Sequence, residues 1–348
     1  MYQSYLSPTP KPSFPPTKFM GSKQTLLPFL FEQLDKLNYH SVLDAFSGSG
    51  CVAYEFKRRG KSVTTNDFLH CSYVIARALV ENDSVRITDR ALSGLLTERK
   101  DAGSKVTDTY RNLFFSKRDC AFLDSLWTNI QDMKSAYGRH LALAAACRAC
   151  QKKRPRGIFT FTGRKGWDNR RDLKLSLRDQ FVNAVRLFND AVFDNGQIHK
   201  AHWGDIMQFE DSNFDLVYLD PPYWSPLADN DYVRRYHFIE GFSCYWEGLE
   251  VDYDTESRKF KSYPSVFSKR ESAAQALEQL FERYSNSIIA VSYSSNAYPT
   301  KNDILSKLQK VKRQVRVYES DYRYSFGNQG HRKGRIKNKV QEYLFVGT

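Results

Sequence analysis

The stretch "HSVLDAFSGSGCVAYEFKRRG", His40 to Gly60, decides the fold. A short apolar run ends at Asp44, two glycines follow at positions 48 and 50, and the apolar spacing then becomes that of a helix. The reading is strand, glycine-rich turn, helix. A second short run, "KSVTTND", also ends in an acid, Asp67. Strand, helix and strand in this order imply a parallel sheet of the α/β class. Glycines let the backbone come close to a ligand and open a helix whose N–H groups face it.

The turn is not a P-loop, because no Gly-Lys-Ser/Thr follows. It fits any Rossmann-like nucleotide site, and Asp67 falls where such folds place an acceptor for ribose hydroxyls. NAD and S-adenosylmethionine both remain open at this point. Asp67 also reads as an N-cap for the helix "FLHCSYVIARAL".

Outward from this unit, residues 1–16 are rich in Pro and Ser and read as a flexible arm. The loop "TKFMGSKQ" and an amphipathic helix, "LLPFLFEQLDKL", come next. From 87 to 195 the pattern turns to helical stretches broken by basic segments. Sheet grammar returns with "IHKAHWGDIMQF", "NFDLVYLDPPY", "SIIAVSYSS" and a final hairpin, "RQVRVYESDY" and "VQEYLFVGT". The organisation is thus a split α/β domain, 17–86 with 196–348, carrying an inserted, mainly helical segment, 87–195. In "DLVYLDPPYW" the buried run stops at Asp220, Pro221 and Pro222, since proline cannot continue a central ladder. That reads as turn chemistry or as a carboxylate at the ligand-binding end of a parallel strand.

The chain of 348 residues carries 52 Lys and Arg against 39 Asp and Glu, a net charge of +13. Such a charge implies a polyanionic partner, nucleic acid or an acidic membrane surface. No apolar run approaches the roughly 20 residues that span a bilayer, and the start lacks a signal-peptide pattern. Nucleic acid and a cytoplasmic, nucleoid-associated location are therefore expected. Eight of the thirteen excess charges fall between Lys152 and Arg178, where ten Lys/Arg face two Asp and Phe159, Phe161 and Trp167 are interleaved. Within it Lys152, Lys153, Arg154, Arg156, Arg164, Lys165, Arg170 and Arg171 are candidate DNA contacts, against the alternative of a solvated basic surface. Arg332 and Lys333, in the basic turn of the final hairpin, are further candidates. Cys147 and Cys150 form one C-x-x-C with no second ligand pair at zinc spacing, so they read as helix packing and no metal site is expected.

The motifs "KFMGSK" (18–23), "DAFSGSG" (44–50) and "DPPY" (220–223), in this order, resemble the Dam-like, D12-class N6-adenine DNA methyltransferases. Asp67, "GDI" (204–206), "SYSS" and the terminal "NKVQEYLF" fit the same family, whereas the middle of the chain is unmatched. Phe19-Met20 stands where the family often has Trp-Ala, Ser22 where Gly is frequent, and Ala45 where Pro is common. The resemblance implies a Rossmann-like, S-adenosylmethionine-dependent fold, a terminal antiparallel hairpin and a target-recognition insertion. It implies that Lys23 and Asp44 hold the methionine end of the cofactor, with Phe46, Ser47, Gly48 and Gly50 shaping the pocket and Lys18, Met20 and Gly21 contributing from the first motif. Asp67 would take the ribose hydroxyls, and Asp205 and Ile206 the cofactor's adenine. Asp220, Pro221, Pro222 and Tyr223 would receive a flipped target base in double-stranded DNA.

Hydrogen bonds from an adenine amino group to the Asp220 carboxylate and the Pro221 carbonyl would free the nitrogen lone pair for in-line attack on a sulfonium methyl. Cytosine-C5 chemistry is excluded on this reading, because it uses a cysteine typically placed after proline and none of the six cysteines follows one. An RNA adenine-N6 or DNA cytosine-N4 methyltransferase, or a DNA-binding relative without catalysis, are the alternatives. The resemblance admits a cognate restriction endonuclease as partner, and a monomer or weak dimer.

Overall fold

The structure, a computed structural model, describes residues 12–19, 21–160, 162–163, 169–222, 224, 232–263, 265–323 and 339–348. Among them, seven strands form one sheet in the order β3-β2-β1-β4-β5-β7-β6. They are β1 (Ser41–Asp44), β2 (Ser62–Asp67), β3 (Lys200–Trp203), β4 (Leu216–Leu219), β5 (Ile288–Ser294), β6 (Val315–Arg323) and β7 (Lys339–Gly347). The first five pair in parallel. β7 inserts antiparallel between β5 and β6, bringing Glu342 opposite Ser294 on one side and Ser320 on the other. This is the expected α/β sheet with an antiparallel terminal hairpin.

Period-two alternation assigns the strand side chains to two faces. Val42, Leu216, Tyr218 and Ala290 enter one core; Leu43, Val217, Leu219, Ile289 and Val291 enter the other. β4 is buried on both faces, hence its unbroken apolar run. Helices α11 (Arg270–Arg283) and α12 (Lys301–Val311) cover the second face. The first face is covered by α1 (Leu27–Leu34), α2 (Cys51–Arg58), α3 (His70–Ala76) and α10 (Tyr232–Ser243).

Between 87 and 195 lie α4 (Asp89–Leu95), α5 (Lys105–Tyr110), α6 (Lys117–Gln131), α7 (Ala136–Lys152), α8 (Arg171–Lys174) and α9 (Leu177–Ala191). These helices have no core of their own. Leu141 and Ala145 of α7 and Phe181 and Val185 of α9 belong to the same apolar cluster as Tyr54, Val74 and Phe238. Cys147 and Cys150 are both buried in α7, as packing requires.

Of the arm, residues 1–11 lie outside the described residues; Phe14 is buried against the Tyr54 ring, centroids 5.3 Å apart. The proline-rich context hides one aromatic ring whose burial ties that end of the arm to α2. No helix among the described residues is long and apolar enough to cross a membrane.

Candidate active site

In an open parallel sheet the strand order reverses at one point, and ligands bind in the crevice beyond the strand ends there. Here the reversal lies between β1 and β4, which end at Asp44 and immediately before Asp220. A cleft of about 690 Å³ opens at that point, lined by Gly21, Lys23, Asp44, Ser47, Gly48, Asp67, Asp220, Pro221 and Pro222 among others. Asp44, Asp67 and Asp220, far apart in sequence, thus meet because the ends of β1, β2 and β4 meet.

The turn after β1 is built for close approach. Gly48 and Gly50 have φ of +50° and +80°, a region that costs side-chain-bearing residues about 1–2 kcal/mol. Gly48 donates its N–H to Asp67 Oδ2 at 2.7 Å, and Leu69 donates to Asp67 Oδ1 at 2.9 Å. Asp67 therefore clamps the glycine turn to the end of β2. On the alternative reading of Asp67 as the helix N-cap, the N-cap position is Leu69 and carries no side-chain cap. Burial, partly offset by those N–H groups, pushes the Asp67 carboxyl up to about 7.

Lys23 is the described cation among the carboxylates of this cleft. Its Nζ lies 3.0 Å from Asp220 Oδ1 and 3.7 Å from Glu342 Oε2. Burial raises Asp220 to about 6, with Lys23 pulling the other way. Asp44 is fully buried, and its Oδ1 has no hydrogen-bond partner among the described residues. Burial first, then Asp220 and Asp67, hold its carboxyl well above the usual range. An orphaned carboxylate oxygen in an anionic cleft suits a ligand that brings N–H donors and positive charge, as the methionine end of a sulfonium donor does.

A second cleft of about 660 Å³ shares Phe46, Phe68 and Pro222 with the first. Asn66, Gly204, Asp205, Ile206, Tyr263, Ser265 and Phe267 complete it. Asp205 accepts the Met207 N–H with Oδ1 at 3.0 Å, and Ile206 is buried. A flat apolar slot with one acid at its rim suits a purine ring carrying an amino group. Arg283 of α11 braces the turn, donating to the carbonyls of Ile206, Met207 and Phe209 at 2.7–3.0 Å.

The remaining sequence candidates divide. Lys18 does not line the cleft. A side chain on Gly157 would collide with it, Cβ to Cβ 2.8 Å, and burial together with Lys152 lowers its ammonium to about 8. Arg154 is corrected from DNA contact to structural residue. It is 1% exposed and donates to the carbonyls of Phe114 and Gly163. Lys152 pairs with Asp172 at 2.6 Å, and Lys153 donates to the carbonyls of Leu173 and Leu175 at the end of α8. These three hold the basic stretch onto α7, because loop carbonyls near a helix end need donors. Arg170 and Arg171 are exposed. Met20, Tyr223, Arg164, Lys165, Arg332, Lys333 and the side chain of Arg156 lie outside the described residues.

Several residues at the site were missed by sequence reasoning. Tyr232, at the start of α10, lines the first cleft. Glu240, in the same helix, accepts the N–H groups of His70 and Cys71 and the Tyr263 hydroxyl at 2.7–2.9 Å, fixing α3 directly behind the Asp67 turn. The acid amid the aromatics of "YHFIEGFSCYW" was the available signal. Arg283 carried none, and Glu342, although inside the family-like "NKVQEYLF", showed no sign of its partner, which lies far away in sequence.

The fold is that of a Rossmann-like methyltransferase. The sequence model of the D12 class N6 adenine-specific DNA methyltransferases matches residues 19–296, and the chain belongs to that family. It is 27% identical to the type II methyltransferase M2.HphI of Haemophilus parahaemolyticus, over 96% of this chain and 98% of that protein. It is 26% identical to the type II methyltransferase M.FokI of Planomicrobium okeanokoites, over 94% of this chain and 52% of that one. Identity to the modification methylase StsI of Streptococcus sanguinis is 24%, over 84% and 46%. The chain thus spans nearly all of the first relative and about half the length of the other two. The family implies a DNA substrate and a methyl donor of the S-adenosylmethionine type.

Proposed function

We propose that this chain methylates the N6 amino group of adenine in a base flipped out of duplex DNA, with S-adenosylmethionine as donor. The observation that carries the reading is the Asp220 carboxylate, presented at the end of β4 in the cleft that also holds Asp44 and Asp67. Asp44 and Lys23 are assigned the methionine end of the donor, Asp67 the ribose, and Asp205 and Ile206 the adenine. When bound, the donor supplies an electrophilic methyl group on a sulfonium sulfur, and the C–S bond breaks with its electron pair returning to sulfur as the N–C bond forms. Asp220 accepts a hydrogen bond from the amino group, drawing the nitrogen lone pair out of the ring, and the surplus proton leaves to water. Pro221 and Pro222 limit the loop's freedom, so these acceptors are in place before the base arrives. Tyr223 is assigned the face on which the base stacks. Extrusion of the base costs a few kcal/mol, repaid by contacts in the pocket.

We assign target recognition to 87–195, chiefly the basic stretch after α7, with Arg170 and Arg171 as phosphate or base contacts. A cognate endonuclease is the proposed partner, in keeping with the type II designation of M2.HphI and M.FokI. The test is single-molecule sequencing of DNA from a methylation-deficient host expressing the chain or its Asp220→Ala variant. N6-methyladenine at one recurring word, absent with the variant, is expected. Soluble protein with unmodified DNA, or N4-methylcytosine in its place, would overturn the reading.

A further inference from the structure

The acid that is to receive the base already has a cation against it. Lys23 Nζ stands 3.0 Å from Asp220 Oδ1, and the lysine side chain is 4% exposed. An ammonium so enclosed cannot retreat to water when an amino group arrives at Asp220. Beside the methionine end of the donor assigned to it above, it needs an acceptor fixed in the protein, because stranding a buried charge costs several kcal/mol.

One stands beside it. Glu342 Oε2 lies 3.7 Å from the same nitrogen, and Glu342 is 1% exposed in the middle of β7. A carboxylate this deep inside a sheet is expensive unless paired, and the donor and base contacts assigned above give it no role.

We propose that Glu342 is a positioning residue for methyl transfer: it receives the Lys23 ammonium, so that Asp220 is released to the incoming amino group. The two acceptors lie at 3.0 and 3.7 Å from one Nζ, so the exchange needs only a small rotation at the end of the lysine side chain. Lys23 keeps an anionic partner throughout, and the charge within the cleft does not change. Without the Glu342 charge, Lys23 stays with Asp220 and competes with the base for its oxygen. The inference rests on the assignment of Asp220 as acceptor for the target amino group.

Glu342→Gln keeps the side chain's shape and removes its charge. Under single-turnover conditions with saturating donor and DNA, the expected loss of rate is about tenfold or more, while affinity for S-adenosylmethionine stays within about threefold. Glu342 acts through Lys23, so the losses of Glu342→Gln and Lys23→Met are expected to be less than multiplicative in the double variant. A rate within about twofold of wild type would overturn the inference. So would multiplicative losses, or donor affinity falling by the same factor as rate, which marks a structural role. If Glu342→Gln does not fold, Glu342→Asp, which keeps the charge on a shorter stem, is expected to lower the rate without altering donor affinity, and an unchanged rate would overturn the inference. Wild-type protein that leaves DNA unmodified, or an Asp220→Ala variant that still methylates, would instead sink the underlying assignment.

Discussion

Replacing Glu240 by Gln tests how the Asp67 turn is held. The carboxylate, itself buried, accepts from His70 N at 2.7 Å, Cys71 N at 2.9 Å and Tyr263 Oη at 2.7 Å. His70 and Cys71 begin α3, so their N–H groups have no partner within the helix. A glutamine at 240 can satisfy one of them with its carbonyl, but its NH₂ then faces the other donor. The lost charge-assisted bond is worth about 1.5–3 kcal/mol, and the lost interaction with the helix dipole about 0.3–1 kcal/mol more. The variant should therefore unfold in urea with about 2–4 kcal/mol less stability, a large share of the roughly 5–15 kcal/mol of an ordinary domain. Leu69 N, immediately before α3, donates to Asp67, so loosening this turn should also weaken S-adenosylmethionine binding by about tenfold in calorimetry. A loss below about 0.5 kcal/mol with unchanged donor affinity would show that the two N–H groups do not depend on the charge, and would refute the reasoning.

Further perturbations probe other parts of the site. Asp67 and Asp220 are raised to about 7 and about 6, so each is increasingly protonated as pH falls through those values. A cationic donor favours their ionised forms, and its affinity should fall as pH drops from about 8 to about 5.5, with proton release on binding near pH 6–7; a flat profile would count against these carboxylates. Gly48→Ala places a methyl group at φ +50°, 3.3 Å from the Phe19 ring, and should cost about 1–2 kcal/mol of stability with weaker donor binding; wild-type denaturation midpoints would contradict this. Arg154→Met should lower stability and leave the salt dependence of DNA binding unchanged. Arg170→Ala with Arg171→Ala should instead flatten that dependence, its logarithmic slope falling by about one for each phosphate no longer neutralised. The reverse pattern would restore Arg154 as a DNA contact.

Asp44 and Asp220 were legible because each follows an apolar run and precedes a glycine-rich or proline turn, and Asp67 because it closes the next short strand of the same β-α-β unit. Asp44, Asp67 and Asp220 needed only local sequence to be placed at one edge of a parallel sheet. Lys23 was legible through its motif, although nothing local showed that it reaches Asp220. Glu342 and Glu240 were not readable, because their roles depend on pairing across the fold. Glu342 meets Lys23 only because β7 inserts between β5 and β6, and Glu240 meets α3 across 170 positions of chain. Charge density marked Lys152, Lys153 and Arg154 alike as a surface for a polyanion. It could not show that Lys152 also pairs with Asp172, that Lys153 donates to the carbonyls of Leu173 and Leu175, or that Arg154 is buried with the carbonyls of Phe114 and Gly163.

On the assignment of target recognition to 87–195 proposed above, the common core beneath the two parts of the chain bears on how new target words could arise. Twelve of the seventeen residues of α7 are buried, and α7 supports α3, which stands behind the Asp67 turn. Swapping the whole of 87–195 between relatives would therefore carry away half of a packed interface and unsettle the donor pocket with it. Between α7 and α9, exposed residues such as Arg170 and Arg171 can vary at far smaller structural cost, provided the buried Arg154, Phe159 and Leu173 are kept. Recombination experiments, and natural diversification, should accordingly find working chimeras when the crossovers fall just inside these two helices, and inactive ones when they fall outside.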